Sequence, residues 1–111
     1  MTKAVFYTRN GVLTGFSVTG HTDDTGSEQA RIVCAALSSA VYMAANTVTD
    51  VIGDKADISV SDGCMRLMLQ DSKADSGRSR DILRGLLIHL RGLEEQYPQF
   101  IKINTEVQHD A

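Results

Sequence analysis

AVFYTRNGVLTGFSVTG, residues 4–20, decides how this chain begins to fold. Two β-rich runs, residues 4–8 and 12–19, flank Asn10-Gly11, a pair that accepts the positive φ of a tight antiparallel turn. The stretch predicts a β-hairpin. On its second strand Val12, Thr14, Phe16 and Val18 share one face, and Leu13, Gly15, Ser17 and Thr19 share the other. The first set is the better core candidate.

Beyond the hairpin the character changes twice. Residues 20–29, GHTDDTGSEQ, have almost nothing to bury and read as a solvent-facing loop. Residues 30–52 then turn apolar and alanine-rich, with Val33, Leu37, Val41, Ala44, Val48 and Ile52 at helical spacing and Gly53 placed to end the helix in a left-handed cap. Ala35, Ala36, Ala40, Ala44 and Ala45 let another backbone come close, so this helix is expected to be central. A second hairpin follows at residues 56–61 and 64–70 around Asp62-Gly63, with Ile58, Val60, Met65, Leu67 and Leu69 as its buried face. The polar stretch 71–77 leads into a second helix with Leu83, Leu86, Leu87, Leu90, Leu93 and Tyr97 along one side, stopped by Pro98. Residues 100–108 alternate as a last strand.

The order β-β-α-β-β-α-β describes an α/β fold of the α+β kind, a mostly antiparallel sheet covered by two helices. Without its first strand it contains the βαββαβ split motif of ferredoxin-like folds, an architecture that by itself names no activity. At 111 residues, 42% hydrophobic and 23% charged, the chain is expected to form one domain over residues 1–111. A net charge of -3 gives no broad basic field, so direct nucleic-acid binding is not expected. The cluster from Lys73 to Arg91, including Arg78, Arg80 and Arg84, reads as a solvated helix face. No secretory signal is seen, and no apolar segment is read as long and uncharged enough to cross a bilayer, so no membrane partner is expected. The two cysteines, Cys34 and Cys64, lack the spacing of metal or redox motifs and suit a reducing, cytoplasmic setting. No metal or cofactor is expected.

Chemistry concentrates at His21 and Cys34. A cysteine nucleophile acts as the thiolate, which a positive helix end or a neighbouring imidazole favours. A strand-to-helix connection can bring the two residues together. If Thr25 or Ser27 caps the helix, Cys34 sits more than one turn inside, where the helix field fades; if the helix begins near Arg31, the thiol gains both the free amides, the natural oxyanion donors, and a guanidinium. Ser38, four residues on, shares the face of Cys34. On pattern alone, a cysteine in an alanine-rich helix is more often inert packing.

The residues Gly20-His21, then Gly26, then Ile32-Val33-Cys34-Ala35-Ala36-Leu37-Ser38 resemble the two-part signature of the Prp family of ribosomal-processing cysteine proteases, and the layout matches over nearly the whole chain. The resemblance implies a cysteine endopeptidase that removes the N-terminal extension of a large-subunit ribosomal protein precursor. It makes Cys34 the nucleophile, His21 the general base, Gly20 the residue that positions the histidine, Gly26 part of a loop over the site and Ser38 a supporting residue. It also implies a homodimer. Arg31 departs from the family's acidic residue three before the cysteine, which leaves that role to Asp23, Asp24 or Glu28, or gives Arg31 a direct part in stabilising the thiolate. The alternative is a non-catalytic ferredoxin-like binding or regulatory module associated with the ribosome, with Cys34 packed in the core. Cys64 reads as a small strand residue, His89 as a partly buried, hydrogen-bonded histidine, and His109 as part of a frayed tail.

Overall fold

The computed structural model describes residues 1–20, 27–61, 63–70 and 76–108. Strands β1 (Thr2–Arg9) and β2 (Val12–Thr19) form the first hairpin, helix α1 spans Glu28–Asn46, β3 (Ala56–Ser61) and β4 (Cys64–Leu69) form the second hairpin, and α2 (Ser76–Gln96) precedes β5 (Ile101–Val107). This is the expected order. The predicted turn at Asn10-Gly11 carries φ of 55° and 77°, as a two-residue antiparallel connection requires. Asp62, the stretch 71–75 and His109 lie outside the described residues.

The strands make one sheet in the order β3-β4-β2-β1-β5. The contacts β1–β2, β2–β4 and β3–β4 are antiparallel, whereas β1 runs parallel to β5. The additional first strand is therefore inserted between β2 and β5 of the split motif, and its insertion makes the sheet mixed. One face carries the core: Ala4, Phe6, Phe16, Val18, Met65, Leu67, Ile101 and Ile103 are buried with Val33, Leu37 and Val41 of α1 and Leu83, Leu86 and Leu90 of α2. Phe6 and Phe16 face each other across β1–β2 with ring centroids 5.9 Å apart, a pairing that adds about 0.5–1.5 kcal/mol to its area burial.

Two expectations about strand faces are corrected. The β1–β2 register shifts at Tyr7/Thr8, so that Gly15 pairs with Tyr7 but Leu13 pairs with Thr8. Thr14 is the extra residue of a bulge, and its hydroxyl donates to the Tyr7 carbonyl at 3.2 Å. The bulge resets the alternation, burying Leu13 and leaving Val12 and Thr14 half-buried. Ile58 and Val60 share the helix-side face through their pairing with Leu67 and Met65, yet they are 41% and 56% exposed. β3 is an edge strand, and the helices do not cover it.

Helix α1 begins at Ser27, whose Oγ accepts from the Ala30 amide at 3.0 Å. Its end loosens into a π-helical turn, Thr47–Ile52, where the Thr47 and Thr49 hydroxyls donate to the carbonyls of Met43 and Ala45 four residues back. Gly53, at φ 80°, closes it in the left-handed cap expected from sequence, donating to Val48 at 3.0 Å. Glu28–Ile52, 25 residues with an 18-residue window of mean hydropathy 1.5, is long and apolar enough by length and composition to cross a membrane, which corrects the sequence expectation. One side of it goes into the core, with Val33, Leu37, Val41, Ala44, Ala45 and Val48 buried, while Ile32, Met43 and Val51 are exposed.

Candidate active site

Cys34, Ser38 and Tyr42 recur at four-residue spacing along α1, one above the next beside the buried row Val33, Leu37 and Val41. This row looks out across a cleft at the tip of the second hairpin. Cys34, Leu37, Ser38, Val41 and Tyr42 line one wall, and Val60, Ser61, Gly63, Cys64 and Met65 line the other. Thr2, Val18 and Gly20, at the adjacent ends of β1 and β2, complete the lining. The cleft measures about 190 Å³, smaller than the roughly 300–1,000 Å³ of pockets that engulf a whole small molecule. None of the described lining residues is charged.

Gly20 holds the end of β2 at φ +93°, and its N–H donates to the Gly63 carbonyl at 3.0 Å, joining the two hairpins at the cleft. A Cβ there would lie 2.6 Å from the Met1 carbonyl oxygen, so this position needs glycine for both conformation and space. Thr2 is 3% exposed and its hydroxyl is buried without a hydrogen-bond partner among the described residues.

The structure thus brings Gly20, Cys34 and Ser38 to one cleft. Cys34 is half-buried, which leaves the sulfur neither sealed in the core nor fully in solvent. Arg31 is exposed and does not line the cleft. His21, Gly26, Asp23, Asp24 and Thr25 lie outside the described residues. Because Ser27 is the cap, Cys34 stands beyond the first turn; its amide belongs to the intrahelical ladder, and the open amides of the helix start are not at the sulfur. Of the two helix starts the sequence allows, the structure takes the one that leaves the thiol beyond the helix's open amides. His89, expected to be partly buried, is exposed in the groove between α1 and α2.

Sequence reasoning missed the second wall. Cys64 was legible only as a strand residue, and nothing in the alternation of residues 56–61 says that Val60 and Ser61 border a cleft. Tyr42 follows from the i, i+4, i+8 series begun by Cys34, a signal present in the sequence. Among the described residues no group of three or more His, Cys, Asp or Glu side chains is arranged to hold a metal ion.

Comparison with known proteins places this chain in a family. The family model for cysteine protease Prp matches residues 1–102. A ribosomal processing cysteine protease Prp of Staphylococcus aureus is 26% identical over 94 residues, covering 85% of this chain and 88% of that protein. The crystal structure of Staphylococcus aureus Prp with a substrate peptide superposes with a TM-score of 0.83 at 23% identity, over 96% of this chain and 100% of that one. The SMU.848 protein of Streptococcus mutans gives 0.82 at 22% identity, over 97% of this chain and 96% of that one. With the family model spanning nearly the whole chain, this protein belongs to the Prp family and is a cysteine protease.

Proposed function

We propose that the protein is a ribosomal-processing endopeptidase that removes the N-terminal extension of a large-subunit ribosomal protein precursor, with Cys34 as nucleophile and His21 as general base. The carrying observation is half-buried Cys34 in an open cleft between α1 and the second hairpin whose described lining is uncharged. Cys34 gives its proton to His21 and its sulfur attacks the scissile carbonyl carbon. As the tetrahedral intermediate collapses, the C–N bond breaks, His21 returns the proton to the leaving amine, and a thioester to Cys34 remains. Water, deprotonated by His21, then attacks the thioester; the new acid leaves and the thiol is restored. The Ser38 hydroxyl, one turn from Cys34 and lining the same cleft, supports the sulfur or the developing oxyanion. Gly20 fixes where the chain leaves β2 toward His21, and Gly26 belongs to the loop over the site.

Arg31, one turn before Cys34 on the exposed side of α1, adds positive charge near the approach to the cleft in place of the family's acidic residue. The chain acts as one protease domain and as a homodimer, a reading supported by the apolar groove between α1 and α2, where Ala40, Met43 and Leu86 lie. Both described cysteines are free thiols, in keeping with a reducing compartment.

The test is incubation of the purified protein with the extended ribosomal protein, read by mass spectrometry, beside Cys34→Ala and His21→Ala. A single cut that removes the extension, lost in both variants, is expected. Iodoacetamide should also alkylate Cys34 faster than Cys64, and His21→Ala should slow that reaction. Undiminished cleavage by Cys34→Ala, or equal alkylation of the two thiols, refutes the assignment.

A further inference from the structure

We propose that a pocket at the end of the sheet opposite the Cys34 cleft binds a small phosphate monoester, with Arg9 and Arg80 holding its phosphoryl group. The pocket measures about 250 Å³ and lies where the β1–β2 turn, the end of β4 and α2 meet. Thr2 lines the cleft and Arg9 lines this pocket, at the two ends of β1. Seven steps along a strand separate them by about 23 Å at roughly 3.3 Å per residue. The protease chemistry makes no use of this end of the molecule.

The chain carries a net charge of -3, yet two arginines and no carboxylate stand among the described residues that line this pocket. Arg80 is the informative one. It belongs to the basic run of α2 that the sequence reads as a solvated face, but the structure half-buries it. Its Nε is sealed from solvent and has no acceptor among the described residues. A guanidinium stays charged whatever surrounds it, so the hydration lost at one nitrogen has to be offset by acceptors at the others. An anion in the pocket supplies them.

The neighbouring groups suit the same ligand. The Thr14 hydroxyl lies 2.8 Å from Gln108 Oε1, which engages the acceptor end of that amide and leaves its N–H2 group to donate. Asn10, at the turn, adds a second amide to the lining. Two arginines match a phosphoryl group, which carries nearly two charges at neutral pH and accepts a fork of hydrogen bonds from each, better than they match a singly charged carboxylate. Val12, Leu13 and Leu69 make the rest of the wall apolar, and that part receives the organic body of an ester. A volume below the roughly 300–1,000 Å³ of pockets for drug-sized ligands keeps this body small.

The experiment titrates the isotope-labelled full chain with phenyl phosphate, in phosphate-free buffer at constant ionic strength, and follows backbone amide shifts by NMR. Saturable shifts are expected at Asn10, Leu13, Gln70 and Gln108, with Cys34, Ser38 and Cys64 unmoved. Inorganic phosphate and benzoate should each bind more weakly, the first for want of the apolar body and the second for want of the second charge. Arg80→Gln should weaken phenyl phosphate about tenfold or more, and Arg9→Gln should weaken it likewise. Arg80→Lys, which keeps the charge without the fork, should fall between Arg80→Gln and the parent. Urea denaturation without ligand should give Arg80→Gln at least the parental midpoint, since it removes a half-buried charge that no described residue pairs with. A lower midpoint, which would make Arg80 a structural residue, overturns the proposal. So does any of these: no saturable binding, shifts centred on the cleft, inorganic phosphate or benzoate binding as tightly as phenyl phosphate, or parental affinity in the two glutamine variants.

Discussion

Replacing Thr2 with valine should stabilise the protein. Thr2 is 3% exposed at the start of β1, and its hydroxyl, sealed from solvent, has no hydrogen-bond partner among the described residues. Its amide donates to the Phe100 carbonyl at 2.9 Å, a bond that valine keeps. Valine has the same branched shape and an equal liking for strands, so the substitution changes little except that a methyl takes the place of the orphaned hydroxyl. Leaving a buried donor unsatisfied costs about 1–3 kcal/mol. Because the residue lines an open cleft rather than the closed core, the low end applies, and a gain of about 1 kcal/mol is expected. For a domain of this size that corresponds to a rise in Tm of about 4 °C. Urea denaturation followed by circular dichroism should show a higher midpoint with an unchanged slope. Thr2→Ser, which keeps the hydroxyl and removes the methyl, should shift the midpoint the other way. A Thr2→Val protein that unfolds at or below the parental midpoint would show that the hydroxyl is satisfied in solution and that the reasoning is wrong.

Gly20→Ala should destabilise the protein by about 2 kcal/mol or more, through a strained positive φ and collision with the Met1 carbonyl, and should depress precursor cleavage as well. A urea midpoint within error of the parent would exclude both causes. Ser79→Ala should cost about 1–3 kcal/mol, because Ser79 is fully buried and donates at 2.5 Å to the Asp54 carboxylate that follows the π-helical turn. Asp54→Asn in the same background should recover part of the loss, and an additive double-mutant cycle would deny the coupling.

The local devices of this fold were written plainly in the sequence. Asn10-Gly11 and Gly53 stand where positive φ is needed, and the apolar repeats of both helices mark the sides that become buried. What alternation could not reveal was the bulge at Thr14, since a period of two assumes one residue opposite one residue. Nor could it reveal that Ile58 and Val60 lie uncovered, because exposure at a sheet edge follows from strand order, a property of the whole chain. The candidate site divides in the same way. Cys34 and Ser38 were legible as neighbours on one helix face, whereas Val60, Ser61, Cys64 and Thr2 reach the cleft only through long-range pairing. The depth of Cys34 within α1 depended on whether Thr25, Ser27 or a residue nearer Arg31 marks the helix start, and the Ser27 cap decides it.

The parallel pairing of β1 with β5 has a consequence for biosynthesis. Thr2 through Thr8 align with Ile101 through Val107, so β1, made early in translation, finds one of its two neighbours only after the much later β5 has been released. Until then β1 is a bare rim on a half-built sheet, and closure of the domain must be among the latest and slowest events of its maturation. A chain truncated before Ile101 would leave that rim open for good, and such fragments should self-associate through it rather than remain dispersed.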